Sequence, residues 1–320
     1  MRALTIVNKA LTVEDRPRPE PDPYDVVVEV HAAGLNAADL MQRDGLYPAP
    51  PGWPVDVPGM ELAGVVVAVG DRVTEPLMHR RVSSLVGGGA QAAYCAVPSE
   101  HLLFVPDDVS FVEAGGFAEA FSTAYDALAT QGHLREGQRV LISGAAGGVG
   151  VAAVQIARAL GAHAIAVTRD DRYHQQLREL GAAETVTLDE VPSLEGVDVV
   201  LELLGAAHLS RAVEILNPYA RVVVIGVGAG SRVEVNLLQV MQLRLTVTGT
   251  TMRSRSREQK AEVARLVGDA LVPRWRAGEL AVPIAKVFDL DDASAAYEYF
   301  AQPGKFGKVV LNLESDAPLD

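Results

Sequence analysis

One stretch decides the fold of this chain: residues 140–150, which read VLISGAAGGVG. Its first four residues are an uncharged, mostly apolar run typical of a buried parallel strand, and residues 149–160 favour a helix. Glycines in such a turn permit a tight bend and let backbone N–H groups approach a pyrophosphate at the positive end of the helix. Ala145 stands at the first glycine position of G-x-G-x-x-G, so the match is a variant. It predicts a dinucleotide site formed by Gly147, Gly148, Val149 and Gly150; the alternative is a tight corner without a ligand.

Apolar runs at residues 164–167, 197–201 and 221–225 alternate with helical segments beyond this turn, which predicts a doubly wound parallel sheet. Before residue 105, short β-type runs separated by proline and glycine predict a β module instead. A last strand at residues 308–313 needs a sheet to join, and the β module is the expected host. We therefore predict an α/β chain in which a Rossmann domain, residues 121–264, is inserted into a β domain made of residues 1–120 and 265–320.

The composition of the chain excludes several classes of protein. The 320 residues suffice for about two domains, and 49% hydrophobic with 22% charged residues excludes global disorder. No window approaches the roughly 18 apolar residues of a membrane span, so we expect no membrane partner. The net charge of −13 argues against bulk nucleic-acid binding. The single cysteine, Cys95, excludes intrachain disulfides. With no apolar signal segment near Met1, it leads us to expect a cytoplasmic protein in which Cys95 is a buried hydrophobe.

The residues after the second strand of the parallel sheet indicate which dinucleotide binds. NAD sites hold the ribose 2′-hydroxyl with an acid about 20 residues past the glycine turn. That place holds Thr168, followed by Arg169 and Arg172. Guanidinium groups pair with phosphate oxygens, so this pattern favours NADP. The alternative is that Asp170 and Asp171 neutralise the two arginines as surface ion pairs.

Several segments together resemble one known family, the zinc-free quinone oxidoreductases of the medium-chain dehydrogenase/reductase superfamily. The segments are residues 36–48 (NAADLMQRDGLYP), 58–64 (PGMELAG), 87–94 (GGGAQAAY), 118–125 (AEAFSTAY), 144–150 and 307–311 (GKVVL). The resemblance implies a chaperonin-10-like β domain with an inserted Rossmann domain, bound NADPH, and a homodimer or homotetramer.

The resemblance also implies roles for particular residues. Asn36 and Tyr47 are implied as catalytic hydrogen-bond donors to the acceptor, with a helix cap and packing against Pro48 as the simpler alternatives. Thr123 is implied at the nicotinamide ribose, where the alternative is a helix cap. Gly226 and Val227 are implied at the nicotinamide, where the alternative is an ordinary turn.

The places that hold zinc ligands in related alcohol dehydrogenases carry Asn36, Met60 and Glu119 here. Amide and thioether groups are poor zinc ligands, so we expect no metal. A sharper alternative is a carboxylate metal site at Glu61 and Glu119. The simpler interpretation is that backbone or arginine hydrogen bonds hold both carboxylates.

Other polar residues receive structural interpretations. Asp39 and Arg43, four residues apart, predict an ion pair on a helical turn. We interpret Arg253 and Arg255 as part of a solvated turn, and we assign no site role to Lys308. Trp53 lies in a proline-rich loop that either covers the acceptor site or is a rigid connector.

The predicted function is NADPH-dependent, zinc-independent reduction of quinones or related conjugated carbonyls. One alternative keeps the fold but reduces the C=C bond of an enone or an enoyl thioester. The other is an NADPH-binding protein with a structural, sensing or RNA-binding role. Fold alone does not fix the acceptor.

Overall fold

The structure, a computed structural model, describes residues 1–314. It divides into two compact units: Met1–Ser122 together with the chain from Met252 onward, and Thr123–Thr251. The second unit therefore interrupts the first in sequence. We predicted the later boundary at residues 264/265, whereas the structure assigns residues 252–264 to the first unit. The reason is that helix Arg257–Ala270 packs against strand Leu102–Phe104.

Helices and strands follow one another along the described residues. The strands are β1 (Arg2–Val7), β2 (Ala10–Asp15), β3 (Asp25–Gly34), β4 (Glu61–Val69), β5 (Arg81–Leu85), β6 (Tyr94–Pro98), β7 (Leu102–Phe104), β8 (Arg139–Ile142), β9 (His163–Thr168), β10 (Glu184–Thr187), β11 (Val197–Glu202), β12 (Leu216–Val224), β13 (Thr246–Gly249), β14 (Ile284–Asp289) and β15 (Lys308–Asn312). The α-helices are α1 (Ala37–Arg43), α2 (Phe111–Ala114), α3 (Ala118–Tyr125), α4 (Gly148–Ala159), α5 (His174–Glu179), α6 (Ala206–Ala212), α7 (Leu237–Leu243), α8 (Arg257–Ala270), α9 (Val272–Arg276) and α10 (Ala293–Ala301).

The first unit is built on a largely antiparallel sheet. Within residues 1–314 its strand order is β14-β15-β3-β4-β5-β7, with β6 also paired to β3 and with β1 and β2 forming a separate ribbon. Strand β3 places Val26, Val28 and Val30 in an apolar core, in keeping with the two-residue period of side chains along a strand. The last strand, β15, pairs antiparallel with β3. The prediction that it returns to the β module is confirmed.

The second unit is a parallel sheet with strand order β10-β9-β8-β11-β12-β13 among the described strands. In chain order this is 3-2-1-4-5-6, the doubly wound arrangement in which the direction of winding reverses between the first and fourth strands. The apolar run at residues 140–142 is fully buried, as expected for a strand covered on both faces. The predicted fold class, a β domain with an inserted Rossmann domain, is confirmed.

Among the helices of residues 1–314, none combines the length and the apolar character that crossing a bilayer requires.

Candidate active site

The turn after β8 is a tight glycine turn at the start of a helix. Gly144 has a φ of +60°, and Gly147 is the residue that caps α4. A Cβ at Gly150 would lie 2.5 Å from the Gly144 carbonyl oxygen, so this close helix–strand approach requires glycine. At Gly147 a Cβ would meet only that same oxygen, at 3.4 Å. The first backbone N–H groups of a helix lack partners within it, so the turn fits an anionic diphosphate.

Other predicted cofactor residues lie at the same edge of the parallel sheet. Thr168 ends β9, and Gly226 comes just after the end of β12. A Cβ at Gly226 would lie 2.1 Å from the Leu203 carbonyl oxygen, so this position too requires glycine. Val227 is half exposed beside it, and Thr123 is buried in α3. The carboxyl ends of parallel strands are where such folds bind ligands.

The end of β9 carries the residues predicted to select NADP. The Thr168 hydroxyl donates to the Asp170 carbonyl at 2.8 Å and lies 2.8 Å from His174 Nε2, so it holds the turn. Arg172 approaches an Asp170 carboxylate oxygen only to 3.8 Å. Arg169 is exposed and has no ion-pair partner among residues 1–314. The alternative that aspartates neutralise these arginines therefore holds only weakly for Arg172 and does not hold for Arg169.

A buried carboxylate at the end of β11 escaped sequence analysis. Glu202 accepts hydrogen bonds from the Ser143 hydroxyl at 2.8 Å and from the Gly205 backbone at 2.7 Å, and it lies 2.5 Å from His208 Nδ1. Burial raises the pKa of Glu202, but the bonds from His208, Gly205 and Ser143 outweigh burial and lower it overall. The carboxylate therefore fixes the loop where the winding of the sheet reverses. The only signal in the sequence is an acid at the end of an apolar run.

In the first unit, Asn36 is locked in a buried cluster. Its Oδ1 accepts from Lys308 Nζ at 2.7 Å, and its Nδ2 donates to Glu61 Oε1 at 3.0 Å. Nδ2 also lies 3.4 Å from the Gly34 carbonyl oxygen, which is a weak contact. Lys308 Nζ donates in addition to Glu61 Oε1 at 2.5 Å and to the Leu35 carbonyl at 3.1 Å. Although Asn36 precedes α1, its side chain makes no cap.

The Glu61 carboxylate is fully engaged. Its second oxygen accepts from the Glu119 backbone N–H at 2.9 Å. The cation beside it is Lys308 rather than the arginine our simpler interpretation allowed. An ammonium group at this distance disfavours a second cation on the same carboxylate. In residues 1–314 no group of three His, Cys, Asp or Glu side chains is placed to hold a metal, and the amide of Asn36 and the thioether of Met60 do not suit zinc.

Arg253 organises the loop that carries Tyr47. It is only 2% exposed, so our expectation that it sits in a solvated turn is wrong. Its guanidinium donates to the carbonyls of Gly87 (2.8 Å) and Tyr47 (2.9 Å) and to Gln42 Oε1 (2.5 Å). The Tyr47 hydroxyl has no hydrogen-bond partner among the described residues. Burial raises the pKa of Tyr47, so the hydroxyl stays protonated and can donate.

Asp39 and Arg43 do not form the predicted ion pair. Asp39 accepts hydrogen bonds from the backbone N–H groups of Asn36 (2.8 Å) and Gly59 (3.1 Å), while Arg43 pairs with Asp44 at 3.0 Å. Complete burial raises the pKa of Asp39 to about 6. The four-residue spacing was misleading because Asp39 points into the unit, where backbone donors are available.

Cys95 is buried, and burial raises the pKa of its thiol to about 12. The interpretation that it is a small hydrophobe rather than a nucleophile is confirmed.

Comparisons with known proteins agree with this geometry. Residues 22–130 match the alcohol dehydrogenase GroES-like domain, and residues 148–268 match the family described as zinc-binding dehydrogenase. The quinone oxidoreductase of Thermus thermophilus, whose structures include a complex with NADPH, is 34% identical and superposes with a TM-score of 0.85 over 98% of this chain and 100% of that one. This chain belongs to the zinc-free quinone oxidoreductase family of the medium-chain dehydrogenase/reductase superfamily.

Two other relatives are longer proteins that match this chain over part of their length. The rat synaptic vesicle membrane protein VAT-1 homolog is 38% identical over 217 residues, which are 65% of this chain and 54% of that protein. A phenolphthiocerol/phthiocerol polyketide synthase polypeptide of Mycobacterium tuberculosis is 31% identical over 97% of this chain and 14% of its own length. This chain thus spans about half the length of the VAT-1 homolog and a small part of the synthase.

Proposed function

We propose that this protein is an NADPH-dependent quinone oxidoreductase that transfers hydride without zinc. The observation that carries the proposal is the buried Asn36–Lys308–Glu61 cluster. In a chain with a dinucleotide turn, this cluster holds Asn36, which stands at one of the places that carry zinc ligands in related alcohol dehydrogenases. The likeness to the Thermus thermophilus quinone oxidoreductase supports the choice of acceptor.

The cofactor residues divide by the part of NADPH they would hold. The turn at Gly147–Gly150 would bind the pyrophosphate, and Arg169 with Arg172 would bind the 2′-phosphate. Thr123, Gly226 and Val227 would lie at the nicotinamide end. NADPH supplies the hydride.

The chain's own residues polarise the acceptor. Tyr47, protonated and without a partner among residues 1–314, donates a hydrogen bond to the acceptor oxygen on which negative charge develops. Asn36 is the second donor to the acceptor, through the Nδ2 hydrogen whose only other contact is the weak one with the Gly34 carbonyl oxygen. Lys308 fixes the orientation of its amide, because Oδ1 must face the ammonium group. Pre-set donors of this kind need no reorganisation during the reaction.

The central experiment follows NADPH oxidation optically with a panel of quinones, enones and enoyl thioesters. We expect quinone turnover, and we expect Tyr47→Phe to lower kcat by about tenfold or more while the NADPH Kd stays unchanged. Unchanged turnover in Tyr47→Phe would remove that residue from the mechanism. Tight NADPH binding with no active acceptor would instead favour a structural, sensing or RNA-binding role.

Zinc independence has its own measurement. The enzyme is treated with a chelator, its metal content is determined, and turnover is assayed again. We expect full activity at a metal content far below one ion per chain. Activity that disappears on chelation and returns with added zinc contradicts this part of the proposal.

A second candidate is reduction of the C=C bond of an enone or enoyl thioester. The match to a polyketide synthase polypeptide along nearly the whole chain favours it, since such synthases act on thioester-bound chains. Product analysis distinguishes the two reactions, because a hydroquinone and a saturated carbonyl compound differ by mass and spectrum.

We also propose a homodimer or homotetramer that works in a reducing cytoplasm. The second unit exposes an apolar patch beside its edge strand β13: Leu237 (77% exposed), Met241 (67%) and Val247 (59%). Such patches mark protein interfaces. Leu237→Glu with Met241→Glu should yield a monomer by light scattering. The matched control is Leu46→Glu, which changes a 72% exposed leucine of the first unit.

A further inference from the structure

The first unit contains a cavity of about 590 Å³ that the proposed reaction does not use. Its walls include Trp53, Pro50, Pro54, Tyr94 and Lys260. The volume is in the range of pockets that hold small molecules. The loop that carries Trp53 is thus more than a connector, because the indole forms one wall.

Lys260, in the first turns of α8, is a buried cation without a counterion. The residue is 4% exposed, and among residues 1–314 its side chain has neither a hydrogen bond nor an ion pair. Its Nζ lies 5.5 Å from the centre of the Trp53 ring, so the ammonium group faces the cavity wall that Trp53 forms. Burial, together with Arg253, lowers the pKa of Lys260 to about 8. Lys308, equally buried, has three oxygen acceptors.

The carboxylates nearest this wall are already engaged. Arg257 binds Asp25 at 2.8 Å and Glu100 at 2.8 Å through different nitrogens. Asp22, at the edge of the cavity, is exposed and forms no ion pair with Lys260. Asp25 and Glu100 therefore cannot move to Lys260 without breaking their pairs with Arg257.

His101 does not supply that anion. Its Nε2 lies 2.9 Å from the Arg257 carbonyl oxygen, an acceptor, so Nε2 carries the proton. Burial lowers the pKa of His101, so the ring is neutral, and its buried Nδ1 has no partner among the described residues. The cavity lining thus combines the Lys260 ammonium group with the Trp53 indole and the prolines, beside the charged residues Asp22, Asp25, Arg255 and Arg257.

We propose that this cavity binds a small amphipathic carboxylate, with the carboxylate on Lys260 and a flat apolar body against Trp53 and the prolines. An ammonium group that is largely shielded from water and has no counterion is costly, and a bound anion offsets that cost. The flat indole and the rigid prolines favour an aromatic or otherwise planar body. The single charge of the Lys260 ammonium group matches a singly charged ligand group. The site is independent of the oxidoreductase reaction proposed above.

The test titrates the full-length protein, saturated with NADPH, with 2-naphthoate and with its neutral analogue 2-naphthamide by calorimetry. We expect the wild type to bind 2-naphthoate at least tenfold more tightly than 2-naphthamide, with a change in tryptophan fluorescence. Lys260→Met should abolish this preference, and Lys260→Arg should retain it. Lys286→Met, which removes an exposed lysine of β14, is the matched control and should behave as the wild type.

Two results would overturn the proposal: no preference for the carboxylate in the wild type, or an equal preference in Lys260→Met. If Lys260→Met does not fold, the test depends on two measurements. The wild type must prefer 2-naphthoate over 2-naphthamide, and Lys260→Arg must keep that preference. Circular dichroism and the NADPH Kd report folding.

Discussion

The two units carry their chemistry in different ways. In the second unit the candidate cofactor segments other than Thr123, which lies in α3, are short contiguous stretches that follow a strand, and the parallel sheet aligns these stretches at one edge. In the first unit the polar clusters join distant segments: Asn36 and Lys308 are 272 positions apart in sequence. The sites of a parallel sheet can therefore be predicted locally, whereas buried charges in the antiparallel sheet depend on long-range strand pairing.

The most damaging change in the first unit should be Lys308→Met. It leaves the Glu61 carboxylate buried without its cation, which costs about 3–5 kcal/mol. Urea unfolding followed by circular dichroism measures the loss. Lys286→Met provides the control, and adding Glu61→Gln should recover part of the stability. A loss below about 1 kcal/mol would show that the cluster is less dependent on charge than its geometry indicates.

Asp39 should make the stability of the first unit depend on pH. Its folded pKa of about 6 lies above the ordinary value of 3.8, so the folded state binds the proton more tightly. The resulting stabilisation is fully present below pH 3.8 and is lost as the pH rises through 6. Relative to Asp39→Asn, the wild type should lose about 3 kcal/mol of unfolding free energy across this window. Parallel curves for the two proteins would contradict the assignment.

In the second unit two glycines of one turn should respond differently to alanine. Gly150→Ala places a Cβ against backbone atoms and should cost about 2 kcal/mol of stability. Gly147→Ala has room for the methyl group and should fold normally, but the methyl group projects where the pyrophosphate would approach. Its NADPH Kd should rise while its unfolding free energy does not change. Equal stability losses in both variants would refute this interpretation of the turn.

The smallest effect concerns cofactor choice. Replacing Arg169 and Arg172 with serine should weaken NADPH binding about tenfold and leave NADH binding unchanged. The ratio of Michaelis constants for the two cofactors measures this. A clear preference of the wild type for NADH would exclude the assignment of a 2′-phosphate site to these arginines.

The difference between the two units also explains which features could be predicted from the sequence. The glycine turn, the strand alternation and the return of the last strand to the β module were all predictable, because each depends on local pattern or on pairing between whole elements. The partners of individual side chains were not. The four-residue spacing predicts an ion pair between Asp39 and Arg43, and the polar turn around Arg253 predicts that its side chain is exposed. Nothing in the sequence assigns a role to Lys308. For Arg253 and Lys308 the deciding contacts come from residues far along the chain, and for Asp39 they come from backbone N–H groups that a spacing rule for side chains does not consider.

The position of β15 has a consequence for how the chain acquires its structure. This strand lies between β14 and β3, so the sheet of the first unit cannot close until residue 312 has left the ribosome. The second unit needs nothing beyond residue 251 and can fold while the first still waits. Because domains fold as units during synthesis, we expect the nascent chain to hold a finished parallel sheet while the sheet of the first unit still lacks β14 and β15. The exposed edge of β3 in that interval is where chaperone binding should be strongest.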